Sequence, residues 1–310
     1  MITFGAAPIG NLYSAVSDAV AAETLAAAWD CGIRAYDTAP HYGLGLSERR
    51  LGAALAAHPR DSYTLSTKIG RVLVPASGAG SDLPVGGFDV PATLRREWDF
   101  SADGVKRSLE SSLDRLGLDR VDTVYLHDPD DHWRQALTEA YPALADLRSQ
   151  GVVRSIGVGM NQWQVPARFV RETDLDQVML AGRYTLLEQG ALAEFLPLCL
   201  ERGVSVVAAA VFNSGLLASP EVPADATYDY GPAPAELVAR ARRIAAVCAD
   251  HAVPLPQAAL HFPLRHPAVT SVAVGARTPE QIRQNASWLA TPVPDQLWSD
   301  LRAADLLLPV

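Results

Sequence analysis

The chain has 310 residues, 49% hydrophobic and 20% charged, with a formal net charge of −9 and no basic run. That balance excludes a chain too polar to bury a core and argues against nucleic acid or an anionic membrane as main partners. Three widely spaced cysteines, Cys31, Cys199 and Cys248, exclude a disulfide framework or a close metal-ligand set; Cys199 and Cys248, in apolar helical patterns, read as buried thiols, and a reducing compartment is expected.

Met1–Ala7 is a short apolar run ending in small residues, with no basic start and apolar core of a signal peptide. No segment reaches about 18 uninterrupted apolar residues, so a cytoplasmic protein is expected. Ser17–Cys31 reads as a helix. Ile33–Asp37 is strand-like and ends on an acid. The turn that follows carries His41, Tyr42 and Gly43, and leads into a helix at Leu46–Leu55 with Ser47 as N-cap. Tyr63–Ile69 alternates as a strand, with Lys68 near its end. Gly70 to about Phe100, containing SGAGSDLPVGG, reads as a long irregular insertion of functional or disordered character.

Val105, Leu109, Leu113 and Leu116 mark an amphipathic helix over Asp103–Leu116, stopped by Gly117. Val121–His127 is a strand ending in histidine, and Trp133–Gln150 a helix. Strands at Val153–Val158 and Gln177–Ala181 precede helices at Gln164–Glu172 and Ala191–Arg202. Val204–Val211 is continuously apolar, as a strand buried on both faces would be. A second long loop, Phe212–Pro234, is followed by helices Ala235–Ala249 and Pro256–Arg265. The last strand, Val269–Val274, leads to a helix at Pro279–Leu289 and an irregular tail.

Eight strands, each followed by at least one helix and with no linker between them, imply an α/β fold with a parallel sheet. Eight units in this length fit a closed (β/α)8 TIM barrel, one domain over residues 1–310 with long loops after the third and seventh strands. The rival, an open doubly wound sheet, favours a Gly-rich phosphate turn after the first strand. GAAPIGNL after Phe4 is not such a turn, and Gly43–Gly45 lacks its third glycine.

In a barrel the C-terminal strand ends converge on the face that carries the active site. Asp37, Lys68 and His127 end three different strands, and Tyr42 lies just past one of them. Singly, each has an ordinary structural explanation; together they supply a carboxylate, an ammonium, an imidazole and a phenol to one rim. A nearby ammonium lowers a phenol's pKa from its usual value of about 10. Asp37 would hold and compensate Lys68, and His127 would orient the reacting oxygen. That is a proton-transfer site for a carbonyl/alcohol pair, and the hydride it needs points to a nicotinamide. Neither a nucleophile–base pair nor clustered metal ligands accompany it.

DTAPHYGLGLSERRLGAAL, Thr67–Lys68 and YLHDPD at Tyr125–Asp130 resemble the aldo-keto reductase family, and the resemblance runs along essentially the whole chain. Asp37, Tyr42, Lys68 and His127 fall on that family's catalytic tetrad. DFSADGVKRSLESSLDRLGLDRVD, GVVRSIGVGMNQW and AGRYTLLEQG are similar to its aldose 1-dehydrogenase branch, acting on L-fucose, L-galactose and D-arabinose, with pyridoxal 4-dehydrogenase nearby.

The resemblance implies a cofactor, NAD or NADP. Asn161 would bond the nicotinamide carboxamide. Ser214, Gly215 and Leu216 would pass the pyrophosphate. The segment Gly275–Asn285, with Gly275, Arg277, Gln281 and Asn285, would hold the adenosine end. Three positions depart from the family. Ala181 stands where a glutamine is common, and Ala209, with Phe212 nearby, where an aromatic is. Gly275 and Gln281 stand where two cations often grip a 2′-phosphate. This favours NAD and leaves NADP open, with Arg277 able to supply one charge.

The resulting expectation is oxidation of an aldose's anomeric hydroxyl, with Tyr42 as acid/base and Asn11, His41, Arg71, Asp128 and Trp163 as rim residues able to face the sugar. The insertion at 70–100 could form a lid. The alternatives are a general aldehyde or ketone reductase, a pyridoxal dehydrogenase, and a cofactor-binding regulatory protein without turnover.

Overall fold

The computed structural model describes residues 1–77, 80–223, 225–229 and 231–308; positions 78–79 of the insertion, 224 and 230 of the second long loop, and 309–310 lie outside the described residues. Eight parallel strands close into one barrel: β1 Ile2–Gly5, β2 Ala35–Asp37, β3 Thr64–Ile69, β4 Thr123–His127, β5 Ser155–Met160, β6 Gln177–Ala181, β7 Ser205–Ala209 and β8 Val269–Val274. Each neighbours the next in the chain, and β8 returns to pair with β1. This is the expected TIM barrel, a single domain.

Register decides which residues share the rim. Gly5 pairs with Asp37 and Asp37 with Ser66; Lys68 pairs with Tyr125, and His127 with Gly159. On the opposite half Ala181 pairs with Ala209, and Ala209 with Ala273. Below the rim the barrel is plugged by Tyr125, Met179, Val207 and Ala273. The Tyr125 hydroxyl donates to the Gln177 side-chain oxygen, and its ring lies where a side chain at Gly157 would stand.

Helices cover the outside and bury apolar stripes. Helix Leu46–Leu55 turns Leu51 and Leu55 inward, and helix Ala102–Leu116 turns in Val105, Leu109 and Leu116. The two touch at Gly52, where an added Cβ would meet the Leu116 carbonyl oxygen at 2.0 Å. Ser101 caps the second of these helices at its N-terminus, and Gly117, at φ 65°, ends it.

Five local expectations change. Ser47 is not an N-cap: helix Leu46–Leu55 starts from Gly45 at φ 82°, while the Ser47 hydroxyl donates to the Ala6 carbonyl and meets Thr38 Oγ1. Trp133–Ser149 is helical but includes a π-turn at Ala136–Ala140, and the helix after β6 is shorter than expected, Phe195–Glu201. The tail is not irregular, since Asp295–Ala303 is a helix burying Leu297, Trp298 and Leu301. The insertion after β3 is ordered structure in which Arg71–Pro75 and Leu94–Trp98 pair antiparallel and Leu83–Gly86 makes one helical turn. Cys199 and Cys248 are buried as expected, whereas Cys31 is exposed.

Candidate active site

Tyr42 hangs from a turn whose backbone is pressed against the segment after β1. An added Cβ on Gly43 would come within 2.2 Å of the Gly10 carbonyl oxygen, and one on Gly10 within 2.9 Å of the Tyr42 carbonyl carbon. Gly43 also holds φ 63°, a conformation that side chains disfavour. The glycines here serve close backbone approach and not a phosphate loop.

The four rim residues meet as the spacing implied. Lys68 Nζ donates to Asp37 Oδ2 at 2.5 Å and to the Thr38 carbonyl at 3.0 Å, and the Ser66 hydroxyl donates to Asp37 Oδ1 at 2.7 Å. Lys68 Nζ lies 4.7 Å from the centre of the Tyr42 ring. The His127 imidazole stands edge-on to that ring, centroids 5.9 Å apart and planes at 88°. His41 lies 5.6 Å from His127, also nearly perpendicular.

Burial and charge set the protonation states. Burial works against the Lys68 ammonium, but Asp37 and Tyr42 outweigh it and hold the lysine above its ordinary value. Burial pushes His127 well below the usual range, helped by Arg71 and Lys68, and His41 down to about 2, so both imidazoles are neutral. Burial raises the Tyr42 phenol, and Asp37 adds to this, while Lys68 pulls it down. The ammonium therefore acts in the expected direction, but desolvation wins and the phenol is protonated at neutral pH.

These groups line a cavity of about 820 Å³ together with Arg71, Asp128, Asn161, Met179, Ala181 and Ala209. Arg71 Nη2 donates to Asp128 Oδ2 at 2.5 Å, and its guanidinium stacks 4.5 Å from the Trp98 ring. Asp128, at φ 44°, brings that carboxylate within 3.6 Å of His127 Nε2. Of the five residues expected to face a substrate, His41, Arg71 and Asp128 are in this wall. Asn11 is not: its side chain donates to the Asp89 carbonyl and accepts from Val16 N and Arg50. Trp163 packs against Phe195, away from the cavity.

A second cleft of about 400 Å³ continues from the first and shares Pro8, Leu12, Tyr13, Asn161, Ala181 and Gly275 with it. Ser214, Gly215, Arg277 and Gln281 line it as expected. Leu216 and Asn285 are buried and lie outside its lining. Arg277 donates to the carbonyls of Leu12, Ser14 and Ala15, so its guanidinium braces the loop after β1. Gln281 accepts from the Arg277 backbone N–H.

A dinucleotide fits this trough. Ala181, Ala209 and Ala273 stand side by side near the ends of β6, β7 and β8 in the cavity wall, where small side chains leave room for a ring. Ala210, at φ 51°, and Gly182 open the path to Ser214–Gly215. Arg183 pairs with Asp229 at 2.8 Å beside that path, and Thr227 Oγ1 donates to the Ser214 carbonyl.

Sequence reasoning passed over Leu12 and Tyr13, and named Leu83–Phe88 only as part of the insertion at 70–100; all lie in the cavity wall. The first two follow a barrel strand and could have been found from that. The others depend on the hairpin's fold.

The fold, the four-residue rim and the trough together define a nicotinamide-dependent oxidoreductase, and the chain belongs to the Aldo/keto reductase family, whose model matches residues 1–306. It is 53% identical over 310 residues to a D-threo-aldose 1-dehydrogenase from Pseudomonas sp, covering 98% of this chain and 93% of that protein. It is 43% identical over 322 residues to a pyridoxal 4-dehydrogenase from Microbacterium luteolum, with 98% and 93% covered. Among solved structures, a glycerol dehydrogenase from Gluconobacter oxydans shares the fold at TM-score 0.77 and 22% identity, over 98% of this chain and 90% of that one.

Proposed function

We propose that the protein oxidises the anomeric hydroxyl of an aldose of the L-fucose, L-galactose or D-arabinose type to the lactone, with NAD as the favoured cofactor. The observation that carries this reading is the joining of two features in one cavity: the Asp37–Lys68–Tyr42–His127 cluster, and a polar wall of His41, Arg71 and Asp128 able to bond several hydroxyls. The 53% identity to an aldose 1-dehydrogenase supports it.

Asn161, Ser214, Gly215 and Gly275 would hold the nicotinamide dinucleotide, which when bound would supply the acceptor for the hydride leaving C1. Tyr42 takes the proton of the C1 hydroxyl, while neutral His127 bonds the same oxygen and orients it. Lys68 stays an ammonium because Asp37 compensates it, and its charge stabilises the Tyr42 phenolate that accepts this proton. In reverse, Tyr42 gives its proton to a carbonyl oxygen. Gly275 and Gln281 bring no cation to a 2′-phosphate, and the Arg277 donors are held by three carbonyls, which supports NAD. Buried Cys199 and Cys248 agree with a reducing, cytoplasmic setting, and in the described residues no helix is long and apolar enough to cross a membrane.

The test is a panel of aldoses assayed at pH 9 to 10 with NAD and NADP in parallel. Oxidation of L-fucose, L-galactose or D-arabinose, faster with NAD, is the expected result. No oxidation of any aldose, alongside rapid reduction of an aromatic aldehyde, overturns the substrate assignment.

A further inference from the structure

Arg96 lies on the second strand of the hairpin insertion, and no step above uses it. Its guanidinium joins three segments far apart in the chain. Nη1 and Nη2 donate to the two carboxylate oxygens of Asp82 at 2.6 and 2.7 Å, and Nη2 also donates to the His41 carbonyl at 3.0 Å. Asp82 begins the turn Leu83–Gly86 in the cavity wall, and His41 directly precedes Tyr42. The pair is buried, Asp82 4% and Arg96 14% exposed.

The surroundings are shaped to it. A Cβ on Gly86 would stand 2.4 Å from both Arg96 Nη1 and Asp82 Oδ2, so the ion pair fills the space a side chain would need. Phe88 lies 5.9 Å from the guanidinium and presents itself edge-on to the His41 ring, 5.1 Å away. The same cation thus holds the insertion's cavity-facing turn and the backbone next to Tyr42.

We propose that Arg96 is a positioning residue that fastens the hairpin insertion to the Tyr42 turn, making the insertion a fixed wall of the substrate cavity. A planar fork can bond a carboxylate through two parallel N–H groups and still reach a carbonyl; an ammonium is a point charge and cannot reproduce that geometry. Swinging the insertion away would leave the Arg96–Asp82 pair intact, since both lie on it, but would break the bond from Arg96 to the His41 carbonyl and part Phe88 from the His41 ring. The proposal rests on the reading of Tyr42 as the acid/base.

The experiment compares Arg96→Ala, Arg96→Lys and Gly86→Ala with the unmodified enzyme. It reads kcat and KM, NADH affinity by fluorescence, and proteolysis of the insertion. Misplacing the reacting groups should lower kcat/KM about 10- to 100-fold in Arg96→Ala and Gly86→Ala, through both kcat and KM. Arg96→Lys should recover only part of the loss. NADH affinity should stay within about twofold, because none of the three groups lines the cofactor cleft. The insertion should be cut faster in each variant.

Unchanged kcat/KM in Gly86→Ala overturns the proposal, as does a parallel loss of NADH affinity, which marks a global defect. Gly86→Ala retains every charge and decides the matter even if Arg96→Ala does not fold. If the unmodified enzyme ignores aldoses, the same comparison is run with the aldehyde it reduces. Full activity in Tyr42→Phe would instead break the acid/base reading, whatever the Arg96 variants do.

Discussion

The two halves of the barrel rim are built from opposite materials. β2 and β4 end in Asp37 and His127, Lys68 is the last residue but one of β3, and Tyr42 lies beside them. β6 and β7 end in Ala181 and Ala209, and Ala273 is the last residue but one of β8. One half provides charge and protons, and the other provides room. The difference teaches that the chemistry and the seat of the ring it serves are carried by separate strands of one sheet, so changes in each half should register in different measurements.

The strongest test of that separation is Tyr42→Phe. Removing a positioned acid/base should lower kcat about 10²- to 10⁴-fold. NADH affinity, read by fluorescence, should hardly move; a parallel loss would mean that the halves are not independent. Next comes pH. Oxidation requires phenolate and the phenol is raised, so the oxidation rate should climb about tenfold per pH unit below the phenol's pKa, and carbonyl reduction should decline above it. Lys68 pulls the phenol down, so in Lys68→Met the rising limb should move to higher pH, and a limb that stayed put would remove Lys68 from this role.

On the other half, Ala181→Leu puts a larger side chain where both cavities meet. It should weaken NADH binding by about tenfold, equivalent to about 1.4 kcal/mol. The pH position of the oxidation limb should not change. The smallest effect is expected at Arg277. Its donors are bound to carbonyls, so Arg277→Ala should change the ratio of NAD to NADP affinity by less than about threefold. A tenfold or larger loss confined to NADP would show the guanidinium reaching the ribose phosphate.

The charged half was legible in the sequence because ionisable residues at the ends of apolar strands conflict with simple burial. Asp37, Lys68 and His127 stand out for that reason, and the barrel rule brings them together. The hairpin was not legible. Arg71–Pro75 and Leu94–Trp98 pair across an intervening Gly- and Pro-rich stretch, and nothing local to either run states the register. Asn11 illustrates the same limit. Its polar side chain at a strand-to-helix loop invited a substrate role, yet its partners are Arg50, 39 positions away, and Asp89, 78 positions away. The tail was expected to be irregular, but Pro294 is the residue from which its helix starts. The net direction of the Tyr42 shift was hidden as well, since the burial that outweighs Lys68 is a property of the folded cavity.

Gly10 and Gly43 touch through main chain alone. The placement of the phenol is thus recorded in two positions that carry no side chain, and a random library would reveal both as sites of near-total intolerance. Recombination that exchanges the segment around residue 10 separately from the segment around residue 43 is safe only between parents with glycine at both. The two positions therefore form one inherited unit, although they lie 33 positions apart in the chain.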